Sequence, residues 1–183
     1  MRQACAGFEG HKRDDIKTAA DREQTGSVSN EVSEIESRRR VASMTKLAEA
    51  ERDAFLSKTR LGILNTVNAD GFPIGVPVWF DWDGEVVRIF TVATSQKVKR
   101  IEADSRASLL VVNDLSELER WVSFDGNVTV VEQGGIELAE KLAGRYWDLR
   151  DPSKKETLAA WRKAADALRV LELRPERIRT YKD

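Results

Sequence analysis

The chain has 183 residues and a formal net charge of −1, from 30 Lys and Arg against 31 Asp and Glu. That length supports one domain with an ordinary core plus an appendage. The charge balance gives no electrostatic reason to expect a nucleic-acid or membrane partner. The single cysteine, Cys5, has no internal disulfide partner, and the single histidine, His11, lies in the same polar leader. A Ser-His-Asp or Cys-His catalytic unit in the folded part is therefore excluded, and no metal site is expected. No apolar run has the length of a membrane span and the N-terminus lacks the apolar core of a signal peptide, so a cytoplasmic protein is the default. Any chemistry then depends on an added cofactor.

Residues Met1 to Ser43 carry few, widely spread apolar side chains among charged and small polar ones. Such a segment cannot bury enough surface to offset its chain entropy. It reads as a disordered extension, or as sequence upstream of a start at Met44, leaving residues 44–183 as the folded domain. Glu31 to Val41 has some helical character, with no function assigned.

From Thr45 the pattern changes. Thr45 can cap a helix reaching about Lys58, with Leu47, Ala50, Ala54 and Phe55 on one face. Leu61 to Val67 reads as a strand, Asp70-Gly71 as a hairpin turn, and Pro73 to Trp82 as a second strand. Asp83-Gly84 turns the chain into a third strand ending at Val92, so a three-stranded meander is expected. Pro77 within the second strand implies an edge, a bulge, or backbone left free to face a ligand.

The centre of the chain is Arg88 to Asn113: a strand over Ile89 to Val92, a polar turn, a basic helix, and a strand over Ala107 to Val112. Ser95 stands where its hydroxyl can cap the helix by accepting from a backbone N–H. Lys97 falls in the first turn, against the helix dipole, with Lys99 and Arg100 close behind. An anion bound at that turn would reconcile the placement. A solvated basic helix is the plain alternative.

Next, Arg120 to Glu132, with Asp125-Gly126 at its centre, is either another hairpin or one long bulged strand. Ile136 to Trp147 and the stretch opening at Asp151-Pro152-Ser153 read as helices. Ala167 to Leu173 reads as a strand, followed by a short last edge strand. Six or more strands closed by a late one predict a mostly β fold, a Greek-key β-barrel with peripheral helices. Trp79 and Trp82, three apart on a strand, should point to opposite faces, with core packing the ordinary role for either. Trp147 and Trp161 read as structural, Asp81, Asp83 and Asp125 as turn residues, and Arg106 as a surface partner of Asp104 or Glu102.

The run G-I-L-N-T-V, D-G-F-P, P-V-W-F, D-G, then T-S-Q-K-V-K-R-I-E-A-D-S-R-A-S-L-L-V resembles the pyridoxamine 5′-phosphate oxidase-like superfamily of FMN-binding split barrels. The likeness covers roughly Leu61 to Gly126, with weaker agreement over Leu168 to Tyr181. It implies a homodimer with cofactor sites at the interface. Lys97, with Ser95 and Arg100, would hold the cofactor phosphate. Val78, Trp79 and Phe80 would line the tricyclic ring, Thr91 would approach its edge, and Trp121 would come from the opposite subunit. Arg60 is a further candidate for the phosphate.

The departures from the oxidases matter as much. Val76 or Pro77 stands where the second strand carries a base, Asp81 where a second base follows, and Arg177 and Arg179 lack a companion histidine. Pyridoxamine phosphate oxidation is therefore not expected. The likeness favours the branch dependent on deazaflavin (coenzyme F-420), with FMN the other cofactor, acting on a small organic substrate. The catalytic residues are not readable, and a substrate proton would come from water or from a hydroxyl such as that of Tyr181. A carrier, sensor or store of a planar ligand, without turnover, is the alternative of a different class.

Overall fold

The structure is a computed structural model and describes residues 46–183. The expectations for Met1 to Ser43, for a start at Met44 and for capping by Thr45 lie outside those residues. The elements in chain order are α1 (Glu49–Ser57), β1 (Gly62–Val67), β2 (Pro73–Val78), β3 (Asp81–Trp82), β4 (Val87–Val92), α2 (Gln96–Ala103), β5 (Arg106–Val112), β6 (Arg120–Val131), α3 (Gly135–Tyr146), α4 (Pro152–Lys163) and β7 (Leu168–Lys182). None of these helices is long and apolar enough to cross a membrane.

All seven strands form one antiparallel sheet in the order β2-β1-β5-β6-β7-β4-β3. Its two outermost strands, β2 and β3, are separated in sequence only by Trp79 and Phe80. Two residues bridge about 10 Å, whereas seven flat strands would span nearly three times that. The sheet must therefore curl until its edges approach, which gives a split barrel. This corrects the expected meander: Pro73 to Trp82 is two strands, and β2 and β4 lie on opposite sides of the split. Pro77 does sit on an edge strand, where its missing N–H breaks no ladder.

Two other readings are resolved. Arg120 to Val131 is one 12-residue strand, and its register with β7 shifts between Asp125 and Gly126. The unmatched residue is Glu176, and Pro175 at the shift loses no ladder bond. β7 is likewise one strand of 15 residues. Its first half pairs with both β4 and β6, and its second half has β6 as its only strand neighbour. Beside that half lies α1, joined through the Leu47 N–H on Thr180 and Lys182 on Glu51.

Alternation along the strands separates two apolar bodies. The inner one contains Leu64, Phe80, Ile89, Leu109, Phe124 and Leu171, with Phe55 and Leu56 of α1 and Val98 and Ile101 of α2. The outer one joins Leu138 and Leu142 of α3 to Val170, with Trp79, Phe90 and Tyr146 packed against it. Trp82 lies against Phe124 in the inner body, so the two tryptophans take opposite faces as expected. Trp147 and Trp161 stack at 5.0 Å beside Trp79. At α4, Asp151 accepts from the Ser153 N–H and Pro152 occupies the first turn.

Candidate functional site

Helix α2 packs against β1 and β6 and presents two cations three residues apart, hence on one face. Lys97 Nζ donates to Thr91 Oγ1 at 3.1 Å, and that hydroxyl donates to Ser95 Oγ, also at 3.1 Å. Arg100 Nε donates to Thr66 Oγ1 at 2.8 Å. Thr91 and Thr66 are buried, each at an inward position of its strand. Neither Lys97 nor Arg100 pairs with a carboxylate among the described residues, whereas Lys141, Arg60 and Arg88 all do. Burial, and then the neighbouring positive charge of Arg100, hold the Lys97 ammonium below the ordinary lysine value. Two half-buried cations without counter-charge are an incomplete electrostatic arrangement that an anion would complete.

Ser95 occupies the N-cap position of α2, but its side chain makes no capping bond. It turns to Thr91 instead, which corrects the capping expectation. Helix geometry leaves the N–H groups of Gln96 and Lys97 without intrahelical acceptors, beside the same two cations. The chain thus brings Ser95, Lys97, Arg100 and Thr91 together.

Val78 and Phe80 are buried in the inner core and Trp79 in the outer aromatic body. Their side chains are committed to packing, so it is the main chain at Trp79–Phe80 that lies outside any ladder beside the split, with the Phe80 backbone bonded to the Tyr146 hydroxyl. Thr66, which holds Arg100, aligns through Ala107 with Gly126 of β6. Trp121 lies five residues further along that strand, about 16 Å away, where it stacks on Tyr181. One chain does not bring Trp121 to Lys97. Arg60, another candidate, is buried and held by Glu117 and the Phe55 carbonyl. Arg106 pairs with Asp104, as expected for a surface residue. Thr66 was missed by sequence reasoning, although a hydroxyl at an inward position of an apolar strand was the available signal.

A separate cleft of about 420 Å³ opens between α1, the β3–β4 turn and α3, lined by Asp53, Asp81, Asp83, Lys141 and Arg145. Its acids already have partners: Lys141 on Asp81, Arg88 on Asp83, and Arg52 with the Trp82 indole on Asp53. Their charge is already balanced, unlike that of Lys97 and Arg100 on α2.

Residues 48–182 match the family model described as pyridoxamine 5′-phosphate oxidase. A curated protein of Mycobacterium tuberculosis (strain CDC 1551 / Oshkosh), named F420H(2)-dependent biliverdin reductase, is 37% identical over 79 residues. That alignment takes in 42% of this chain and 55% of the relative, so about half of the relative's length is matched. A solved structure named F420 reductase is similar at 25% identity with a TM-score of 0.56, over 69% of this chain and 94% of that one. The conserved hypothetical protein Rv2991 of Mycobacterium tuberculosis is similar at 28% identity with a TM-score of 0.57, over 74% and 85% of the two chains.

Proposed function

Because the chain belongs to the pyridoxamine 5′-phosphate oxidase family, we propose that it is an oxidoreductase that uses a phosphate-bearing deazaflavin on a small organic substrate. The single observation that carries this reading is the carboxylate-free pair Lys97 and Arg100 at the start of α2. The names of two similar proteins, an F420H(2)-dependent biliverdin reductase and an F420 reductase, support a deazaflavin over FMN. Oxidation of pyridoxamine phosphate lacks support in the residues. Val76 packs against the core, Asp81 is tied to Lys141, and Arg179 is tied to Asp125.

In this reading Lys97, Arg100 and the free N–H groups of the first turn hold the phosphate. The main chain at Trp79–Phe80 borders the ring. The cofactor, when bound, supplies the hydride chemistry, and the protein supplies position and exclusion of water. Among the described residues the groups assigned to the site are two cations and three hydroxyls, so a substrate proton comes from water or a hydroxyl. A second copy completes the pocket by delivering Trp121 and, stacked with it, Tyr181. Exposed Leu61, Val112, Leu115 and Leu118 at the same end of the sheet support such a homodimer, and a cytoplasmic location is part of the same proposal.

The test is a fluorescence titration of the protein with FMN and with oxidised and reduced deazaflavin. Micromolar binding of the deazaflavin is expected, weakened by about 1.5–3 kcal/mol in Lys97→Ala. Unchanged affinity in that variant would remove the phosphate assignment.

A further inference from the structure

Threonine is an unusual anchor for a cation in this protein. Among the described residues, every other lysine or arginine held by a side-chain acceptor is held by a carboxylate. These are Asp53, Asp81, Asp83, Asp104, Asp125, Asp148 and Glu51, Glu117, Glu140, Glu172. Lys97 and Arg100 alone rest on hydroxyls. Those hydroxyls come from β4 and β1, which are not neighbours in the sheet, so the two cations of α2 are tied to separate walls.

The physical difference is charge. A carboxylate would fix each cation more strongly but would also neutralise it. A threonine hydroxyl fixes geometry and leaves the positive charge available. Both hydroxyls sit where a valine would pack: Thr66 and Thr91 are 1% and 5% exposed, on strand faces otherwise given to Leu64, Val87 and Ile89. Burying a hydroxyl there costs free energy unless it is bonded. Each bonds to one cation, and Thr91 donates its own O–H to Ser95 Oγ, which leaves the Ser95 O–H free to donate outward.

We propose that Thr91 and Thr66 are positioning residues of the anion site, neutral anchors that aim Lys97 and Arg100 at a phosphate without cancelling their charge. This rests on reading Lys97 and Arg100 as the phosphate anchor.

The probe is inorganic pyrophosphate, with binding measured by calorimetry on the full chain. Thr91→Val and Thr66→Val should each weaken binding about threefold to tenfold, the scale of one hydrogen bond. Serine at either position should restore it. Thr91→Val should cost nothing further in a Lys97→Ala background, and Thr66→Val nothing further in Arg100→Ala, because each threonine acts through its cation. Full additivity, or valine variants that bind as the parent does, would overturn the inference. Unchanged binding in Lys97→Ala and Arg100→Ala would instead overturn the phosphate reading beneath it. Where a valine variant does not fold, the alanine variant removes the same hydroxyl and is judged by the same cycle.

Discussion

Trp79 lies flat on Tyr146, with ring centroids 4.8 Å apart and planes 9° from parallel. The same indole meets the edges of Trp147 at 4.8 Å and Trp161 at 6.3 Å. It is the peg by which the crossing between the two sheet edges is fastened to α3 and α4. Trp79→Ala should therefore destabilise the domain by about 3 kcal/mol, the low end for a large aromatic because the ring is only half-buried. Denaturant unfolding checks this. Trp79→Phe should unfold later than the alanine variant and keep the parent's deazaflavin affinity. A loss of affinity without a loss of stability would return this side chain to the ring.

Glu117 accepts from Lys58 at 3.0 Å and also from Arg60. Those bonds, Lys58 foremost and Arg60 next, lower its carboxyl from 4.5 to about 2. The folded value lies below the unfolded one, so the contribution to stability is present above pH 4.5 and is lost as pH falls toward 2. Glu117→Gln should separate from the parent in stability near neutral pH and converge with it in acid. Parallel curves down to pH 2 would show that the carboxylate does not titrate with folding.

Much of this architecture is legible in sequence because strand alternation and Asp-Gly turns are local signals. The turns at Gly71 and Gly84 adopt the positive φ that glycine permits. Pro77 had an edge among its three readings, and Asp151-Pro152 marked a helix start. What could not be read depends on partners distant in sequence. Trp79 and Phe80 look like the middle of a strand until the closure of the sheet requires a crossing there. Ser95 has the residue type of a cap, yet Thr91, four residues earlier, takes its hydroxyl. Thr66 belongs to the site only because α2 folds back over β1 and delivers Arg100.

Gly126 marks the register shift of the longest strand pair. A Cβ at this position would lie 2.3 Å from the Arg174 carbonyl oxygen, a main-chain atom with no freedom to turn away. Gly126→Ala should cost about 1–3 kcal/mol or more, as overpacking does in a closed structure. Thermal unfolding with unchanged Tm would mean that β7 can shift at Pro175 to accommodate a methyl group.

Lys97 should make phosphate binding depend on pH. Burial and Arg100 lower its ammonium from the ordinary 10.5, and a bound phosphate would raise it again, because an opposite charge favours the protonated form. Binding then takes up a proton over the interval between the free and bound values. Affinity is full below the free value and declines as pH rises through it, earlier than an unperturbed lysine would allow. Lys97→Arg keeps a charge that does not titrate in this range, so its affinity should stay level where that of the parent falls. Titrations of the phosphate-bearing cofactor from pH 7 upward make the comparison. Identical slopes in the two proteins would assign the proton to another group and leave Lys97 outside the phosphate's reach.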